Sequence, residues 1–307
     1  MKKLLQVLAE IILKITGQYV IFAKRDFVSD NLISCSSGLS VGTVGIVMQG
    51  PVMYKNNFTL TALKGLRNKY PTVQIVLSTW RLNVTPVFIK KVEAIGVDIL
   101  LNDHVPEGLG NVNLQIQTTS AGIKFLEHKC EYILKIRTDQ YLFGDTDFLR
   151  YFLCLQKTFP TRDVGVCERL IVSSLGFFED RLYGVPDFLM FGTYEDMYLF
   201  WCIPHDKKEI TDLSVEKKNE FFIRQGTAEG YLILTFMKNI DYPVVWDKSA
   251  SDAMISRVFC VVDKEVIGHF WCKYNWSQKY TGRILKNGSV QKELSSADWL
   301  VKYCNES

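Results

Sequence analysis

Four short apolar runs alternate with helix-like stretches in the first half of the chain, and this alternation is the sequence feature that most constrains the fold. The apolar runs cover residues 44–48, 73–77, 97–101 and 132–136. Between them, apolar side chains recur at helical spacing over residues 57–68, 87–94 and 114–125. Strands without polar alternation are typical of a parallel sheet that helices cover on both faces. The sequence therefore predicts an α/β fold.

The composition and the charge balance argue against several classes of protein. The 307 residues include 36 Lys and Arg against 33 Asp and Glu, which leaves a net charge of +3. A nucleic-acid-binding protein concentrates positive charge on one face, so this balance argues against a nucleic-acid partner. Eight cysteines occur without a C-x-x-C pair. This spacing argues against structural zinc and a disulfide scaffold, and it predicts reduced thiols in a cytoplasmic protein.

Two segments precede the predicted sheet. Residues 1–28 place Leu and Ile at helical spacing with Lys mostly on the other side, which predicts an amphipathic helix. That helix either lies in a membrane interface or packs against protein, and the sequence leaves both open. Residues 29–43 are rich in Ser and Gly and are predicted to be a linker. The main domain is predicted over residues 44–275, with a C-terminal extension over 276–307.

Polar residues follow each apolar run, at the sheet edge where doubly wound domains bind their ligands. No P-loop motif and no G-x-G-x-x-G fingerprint is present, which argues against P-loop and dehydrogenase functions. Asp139 follows the fourth run, where a carboxylate can reach a divalent cation that carries a diphosphate. The alternative is that Asp139 only caps the turn after the strand.

Five separated segments carry a more specific pattern, namely residues 47–52, 76–80, 111–122, 134–139 and 187–192. Their residues, order and spacing resemble the WavE-like lipopolysaccharide synthesis family over roughly residues 44–275. The resemblance implies a bacterial glycosyltransferase with a GT-A-like, mostly parallel sheet flanked by helices. It would move a sugar from a nucleotide-sugar donor, with a UDP-sugar favoured, to a hydroxyl of a lipopolysaccharide, O-antigen or capsule glycan. Leu114 departs from the pattern, because the family has a basic residue there.

The resemblance also implies roles for individual residues. Donor contacts are expected at Gln49, Gly50, Pro51, Ser78, Thr79, Asp103, Gln115, Arg137 and Asp139. The D-x-D element of GT-A enzymes corresponds to Arg137-Thr138-Asp139, so only its last acid is retained. Asp139 and His269 are the expected ligands of Mn²⁺ or Mg²⁺. The alternatives are that Arg137 contacts ribose or diphosphate in place of a metal and that His269 is a core histidine.

A literal D-x-D at Asp145-Thr146-Asp147 stands just before a helix-like stretch, so we interpret it as a helix cap. Acceptor contacts are implied at Asp187, Gly192 and Asp196, with capping as the alternative for the two acids. Glu229 opens an apolar helix and is the expected general base of an inverting enzyme. Its alternative role is that of a first-turn acid favoured by the helix dipole.

The expected partners are a nucleotide sugar and a lipid-linked or oligosaccharide acceptor, with peripheral contact at the cytoplasmic face of the inner membrane. A non-catalytic nucleotide-sugar binding or scaffolding subunit of a polysaccharide assembly complex is the alternative function. A sugar nucleotidyltransferase fits less well, because the stretch after the first run contains a single glycine, Gly50, and no lysine before Lys55.

Overall fold

The computed structural model describes residues 7–8, 11–12, 15, 43–161, 164–207, 227–272, 283–284 and 290–306. Its strands are β1 (Val44–Gln49), β2 (Gln74–Trp80), β3 (Asp98–Asn102), β4 (Tyr132–Arg137), β5 (Gln140–Leu142), β6 (Leu170–Ser173), β7 (Met190–Thr193), β8 (Phe259–Val262), β9 (His269–Trp271), β10 (Arg283–Ile284) and β11 (Val290–Gln291). Its helices are α1 (Phe58–Lys69), α2 (Pro86–Glu93), α3 (Val112–Phe125), α4 (Phe148–Thr158), α5 (Tyr194–Trp201), α6 (Ala228–Asn239), α7 (Lys248–Val258) and α8 (Ser296–Glu306). Short 3₁₀ turns cover Lys55–Asn57, Arg81–Asn83 and Leu109–Asn111.

A seven-stranded sheet in the order β3-β2-β1-β4-β7-β6-β8 forms the centre of the fold. Strands β1 to β4 are parallel to one another, β7 is antiparallel to both β4 and β6, and β8 is parallel to β6. Two small ladders pair β5 with β9 and β10 with β11. The predicted α/β fold, with a mostly parallel sheet flanked by helices, is confirmed.

The apolar runs form the buried centre of this sheet. Every residue of β1 is buried, and so are six of the seven residues of β2. Helix α3 lies so close to β1 that a Cβ atom added at Gly122 would stand 2.4 Å from Val47 Cγ1. In the middle of that helix, Thr118 Oγ1 donates a hydrogen bond of 2.8 Å to Gln49 Oε1. These contacts hold the middle of α3 against β1, with Thr118 at the carboxyl end of that strand.

The helices begin where short polar side chains cap them. Thr85, Thr193, Thr227 and Asp247 each accept a hydrogen bond from a backbone N–H in the first turn of α2, α5, α6 and α7. Such a cap satisfies one of the amide groups that a helix start leaves without an intrahelical partner. These four capping residues therefore determine where their helices begin.

The observed elements start and end close to the predicted ones, with two differences. Strands β1 and β2 extend beyond the apolar runs, so Gln49, Ser78 and Thr79 lie within strands rather than after them. Residues 190–193 form strand β7, so Gly192 lies in the sheet rather than in a loop. A Cβ atom at Gly192 would stand 2.5 Å from Leu170 Cδ2, so this glycine allows β7 to pack against β6.

The predicted N-terminal segments fall mostly outside the described residues. Val7, Leu8, Ile11, Ile12 and Ile15 are in helical conformation, and the exposed fractions of four of them range from 43% for Leu8 to 77% for Ile15. The amphipathic helix over residues 1–28 and the linker over 29–43 therefore stay predictions. Within the described ranges, no helix has both the length and the apolar character needed to cross a bilayer.

The C-terminal helix packs onto the sheet domain. Trp299 of α8 is 2% exposed and belongs to the same hydrophobic core as the strands. Lys264, just after β8, forms an ion pair with Glu293. The guanidinium of Arg257 in α7 lies 2.6 Å from the carboxylate of Glu306 in α8. The described part of residues 276–307 is therefore continuous with the core of the domain.

Candidate functional site

The candidate site lies at the carboxyl end of β4, where β9, late in the sequence, pairs with β5, which follows β4 directly. Asp139 stands between β4 and β5, and β5 pairs with β9 so that Gln140 lies opposite Trp271. The backbone N–H of Cys272 donates a hydrogen bond of 2.8 Å to the carbonyl of Asp139. This ladder brings residues 269–272 next to the end of β4.

A paired guanidinium and carboxylate occupy the centre of the site. Arg137 Nε and Nη2 donate hydrogen bonds of 3.0 and 2.9 Å to the two carboxylate oxygens of Asp139. Trp271 Nε1 donates a third, of 2.8 Å, to Asp139 Oδ2. The side chains of Arg137 and Asp139 are only 17% and 11% exposed. A bidentate pair shielded from water in this way is stronger and more rigid than a surface ion pair.

Two aromatic rings enclose the same guanidinium. Its carbon lies 5.4 Å from the ring centre of Phe188 and 5.5 Å from that of Trp271, and the two ring centres lie 4.5 Å apart. Both distances fit a cation–π contact. Asp187, in the segment that leads into β7, places its carboxylate 3.9 Å from Arg137 Nη1. Residues 187–188 therefore form the wall of the site next to the guanidinium of Arg137.

A buried lysine lies beneath this wall. Lys135 lies two positions before Arg137 on β4, and its ammonium donates a hydrogen bond to the backbone carbonyl of Asp187. It also lies 4.3 Å from the ring centre of Trp201. Burial lowers the pKa of Lys135 to about 7, a shift that the charge of Asp187 partly opposes. Lys135 thus ties the wall segment to the end of β4.

His269 is buried beside the site and is electrically neutral at ordinary pH. Its side chain is 1% exposed, and its Nδ1 atom lies 2.9 Å from Ser173 Oγ. Burial lowers the pKa of His269 to about 3, although the charge of Asp139 opposes this shift. Among the described residues, its Nε2 atom has no hydrogen-bond partner. Its contact with Ser173 agrees with the core-histidine alternative.

The donor set does not fit the divalent cation that the resemblance implies. The oxygens of Asp139 already accept three hydrogen bonds, and two of them come from a positively charged group. A dication on Asp139 would have to displace Arg137 from a largely buried pair, and breaking such a pair is strongly unfavourable. No group of three or more His, Cys, Asp or Glu side chains in the described chain could hold a metal ion.

The end of β1 is joined to the end of β4 by a short network. Gly50 has a φ of +115°, and its N–H donates to the carbonyl of Ser78 at 3.1 Å. Thr138 N donates to Gln49 O at 2.9 Å, and Thr138 Oγ1 donates to Pro51 O at 2.7 Å. The structure therefore brings the predicted donor residues Gln49, Gly50 and Pro51 next to Arg137-Thr138-Asp139.

The remaining predicted donor residues differ in exposure. Ser78 and Thr79 are fully buried in β2, and Ser78 Oγ accepts a hydrogen bond of 2.9 Å from Asn102 Nδ2. Asp103, after β3, is exposed and forms an ion pair of 2.9 Å with Arg81. Gln115 is half-buried in α3. Ser78 and Thr79 stabilise the sheet edge from within, whereas Asp103 faces solvent at that edge.

Two of the three predicted acceptor contacts lie at the opposite edge of the sheet. Gly192 pairs with Ile133, near the amino end of β4. Asp196 is fully buried in the first turn of α5, where its carboxylate accepts hydrogen bonds of 2.7 to 2.9 Å from Thr193 Oγ1 and the N–H groups of Cys167 and Glu168. A carboxylate held in this way serves the packing of α5. Only Asp187 lies beside Arg137.

Glu229 lies in the first turn of α6, behind the cap of Thr227, and is half-buried. The start of this helix packs on the turn that leads into α3: a Cβ atom at Gly110 would stand 3.2 Å from Ala228 Cβ. Because α3 begins at the carboxyl edge of the sheet, the first turn of α6 is on that side too.

In the literal D-x-D at residues 145–147, the second acid is the one that caps a helix. Asp147 caps α4 by accepting a hydrogen bond of 3.3 Å from Arg150 N, and it also accepts one of 3.0 Å from Tyr70 OH. Asp145 is exposed. The predicted capping role of this motif is therefore confirmed for Asp147.

Sequence reasoning missed Lys135 and Phe188. A lysine inside the apolar run Tyr-Ile-Leu-Lys-Ile is itself a signal, because a charge is costly in a buried strand and needs a specific partner. Phe188 carries no such signal, since nothing in its local sequence separates it from an ordinary core residue.

Comparison with known proteins assigns the sequence of this chain to a family. The model of the WavE lipopolysaccharide synthesis family matches residues 44–307. No curated protein matches the chain significantly.

Solved structures resemble the chain only distantly. A cytidylyltransferase from Leptospira borgpetersenii serovar Hardjo-bovis is 15% identical, with a TM-score of 0.35 over 53% of this chain and 65% of that chain. The 4-diphosphocytidyl-2C-methyl-D-erythritol synthase of Anaerococcus prevotii is 9% identical, with a TM-score of 0.37 over 86% and 96%. Apo mouse xyloside xylosyltransferase 1 is 8% identical, with a TM-score of 0.35 over 72% and 86%. The chain thus spans less than two thirds of the length of the cytidylyltransferase. Similarities as low as these three carry no argument about activity.

Proposed function

The chain belongs to the WavE lipopolysaccharide synthesis family, and from that premise we propose that it is a glycosyltransferase that uses a nucleotide-sugar donor. The observation that carries the proposal is the position of the Arg137–Asp139 pair. It lies at the carboxyl end of a parallel strand, where α/β sheets bind ligands, and two aromatic rings enclose it. Charged and aromatic groups together suit a ligand that carries both phosphates and sugar rings.

The reaction we propose is transfer with inversion at the anomeric carbon. The bond between that carbon and the diphosphate breaks, and its electron pair leaves with the diphosphate oxygen. An acceptor hydroxyl oxygen forms the new bond, and Glu229 takes its proton as general base. The start of α6 near the carboxyl edge of the sheet supports this role, and so does the cap of Thr227, which fixes the first turn that carries Glu229.

The donor would lie along the ends of β1 and β4. Gly50 and Pro51 are proposed to contact the nucleotide, and Arg137 its diphosphate. The left-handed backbone of Gly50 lets a ligand approach the main chain closely, because no Cβ atom stands in the way. Asp187 would accept hydrogen bonds from sugar hydroxyls on the other side of the guanidinium. Asp139 and Trp271 would orient Arg137.

The acceptor we propose is a lipid-linked glycan reached at a membrane surface. An exposed apolar group on the carboxyl edge supports this: Leu82 is 88% exposed, Val87 63% and Tyr54 45%. Tyr54 OH donates to Asn83 O at 2.7 Å, and the Tyr54 ring contacts Phe88 of α2, so the loop after β1 lies against the loop after β2 and the start of α2. Lys55 follows Tyr54 in sequence and favours an anionic lipid surface.

Glycan transfer by the purified full chain tests the proposal. Nucleotide sugars with different bases are incubated with lipopolysaccharide from a strain that lacks the corresponding gene, and released nucleoside diphosphate and extended glycan are both measured. We expect both products with at least one donor, and a loss of about 10²-fold or more for Glu229→Gln. A scaffolding subunit would bind the nucleotide sugar but release no nucleoside diphosphate above background, which would contradict the proposal.

A further inference from the structure

The end of β4 carries a guanidinium where metal-dependent enzymes of this fold carry a carboxylate. In the sequence Arg137-Thr138-Asp139, the first position is basic, and the structure pairs it with the third. We infer that Asp139 holds Arg137 rather than a metal ion, and that Arg137 supplies the positive charge that binds the donor diphosphate without a divalent cation. This inference rests on the proposed function and specifies how the same site recognises its donor.

The first support is the geometry of the pair. A carboxylate that binds both Nε and Nη2 fixes the plane of the guanidinium as well as its position. Trp271 Nε1 holds the carboxylate from the other side at 2.8 Å. A guanidinium is planar, stays charged at any physiological pH and matches the spacing of phosphate oxygens. Arg137 and Asp139 thus already place a fixed positive charge at the end of β4, which is what a bound metal ion would otherwise provide.

The second support is electrostatic. A dication bound to Asp139 would share its carboxylate with a guanidinium, so two positive groups would lie within a few ångströms of each other in a largely buried site. Repulsion between like charges is strong in such a site because little water screens it. The guanidinium paired with Asp139 therefore opposes a dication on that carboxylate.

The third support is the aromatic enclosure. Phe188 and Trp271 both lie within 5.5 Å of the guanidinium carbon. Ring faces stabilise a cation without adding a formal negative charge, so these two contacts leave the positive charge of Arg137 in place. Asp187 is the second acid near Arg137, and its carboxylate lies 3.9 Å from Nη1.

The test measures nucleotide binding by isothermal titration calorimetry on the full chain. UDP, CDP, GDP, ADP and inorganic pyrophosphate serve as probes, each with EDTA and with MnCl₂. We expect at least one nucleoside diphosphate to bind with a Kd that differs by less than about threefold between the two conditions. We expect Arg137→Gln to weaken that binding by tenfold or more in both conditions. Asp147→Asn, a helix cap away from the pair, is the matched control and should bind like the wild type.

A second variant tests the same point in the opposite direction. Arg137→Asp creates the acidic pair Asp-Thr-Asp, so it should bind the probe weakly in EDTA and gain tenfold or more in affinity with Mn²⁺. Wild-type binding that disappears in EDTA and returns with Mn²⁺ would overturn this inference but leave the proposed function standing. Absence of binding for every probe under both conditions would overturn both. The wild-type comparison needs no variant, so it decides the question even if a substitution prevents folding.

Discussion

Trp271 Nε1 donates a hydrogen bond of 2.8 Å to Asp139 Oδ2 across a separation of 132 positions in the chain. This bond makes the candidate site a product of both halves of the protein. The first half supplies Arg137 and Asp139 at the end of β4, and the second half supplies the ring that orients them. Substitutions in either half should therefore alter the same binding property.

Replacing Glu229 by Gln removes the proposed base and keeps nearly the same shape. We expect turnover to fall by about 10²–10⁴-fold while nucleotide binding changes little, because the amide cannot take the acceptor proton. Single-turnover kinetics and calorimetry measure the two effects separately. Proton NMR of the product gives the anomeric configuration. A product that keeps the configuration of the donor, or near-normal turnover, would remove Glu229 from this role.

The stability of the protein should rise as the pH increases above neutrality, and Lys135 should be one cause. Burial lowers the pKa of Lys135 from 10.5 to about 7, so between these values the unfolded chain binds a proton that the folded chain has released. Unfolding is then disfavoured by up to about 1.4 kcal/mol for each pH unit. Urea unfolding at pH 7.5 and 9.5 measures this slope.

Lys135→Met should remove that part of the slope, whereas the exposed Lys64→Met should keep it. An unchanged slope in Lys135→Met would show that Lys135 keeps an ordinary pKa. The comparison between the two variants cancels the contribution of the other titrating groups.

Gly50→Ala should weaken both the fold and the site. The φ of +115° is costly for any residue with a Cβ atom, and the new atom would stand 3.0 Å from Thr138 Oγ1. We expect a loss of about 1–3 kcal/mol in the free energy of unfolding and weaker nucleotide binding. Gly96→Ala is the control, because its φ is +71° but its new Cβ atom would have no neighbour closer than 3.8 Å. It should lose stability without losing binding.

Asp147→Ala should affect stability alone. The variant loses the cap of α4 and the hydrogen bond from Tyr70, so the free energy of unfolding should fall by about 0.5–2 kcal/mol. Calorimetric binding of a nucleoside diphosphate should remain unchanged. A large loss of binding would instead make Asp147 a candidate for donor binding.

Leu82→Ser should reduce attachment to anionic vesicles. The side chain is 88% exposed, so its removal costs the fold little, but it takes apolar area away from the proposed membrane-facing edge. Sedimentation with phosphatidylglycerol-rich vesicles measures the change, with phosphatidylcholine vesicles for comparison. Val301→Ser, 62% exposed on α8, is the matched variant and should bind as the wild type does. Equal binding by the two variants would contradict a membrane role for this edge.

The first half of the fold could be predicted because its signals are local. Strands β1 to β4 appear as short, mostly apolar runs, and the helices between them show clear periodicity. Strands β6, β7 and β8 have four residues each, too few for a period, and their pairing depends on partners far away in the sequence. This is why strand β7 was not predicted and Gly192 was assigned to a glycine loop over residues 187–192.

The candidate site was predictable only in its position. The location of Asp139 after β4 follows from the order of the strands, but its pairing with Arg137 depends on rotamers that the rings of Phe188 and Trp271 enforce. For Asp196, the position at a helix start is compatible with both a ligand contact and a cap. Its burial and its three hydrogen bonds show that its carboxylate is engaged within the fold.

The ladder between β5 and β9 also sets when the site can exist during synthesis. Strands β1 to β4 and their helices are complete once residue 137 has emerged from the ribosome, and their contacts are comparatively local. Asp139 gains its Trp271 partner only after more than a hundred further residues have followed. A nascent chain therefore holds a partly formed sheet with an unfinished site while those residues are synthesised. Premature termination anywhere before residue 269 would yield a product that lacks the ladder strand next to Asp139.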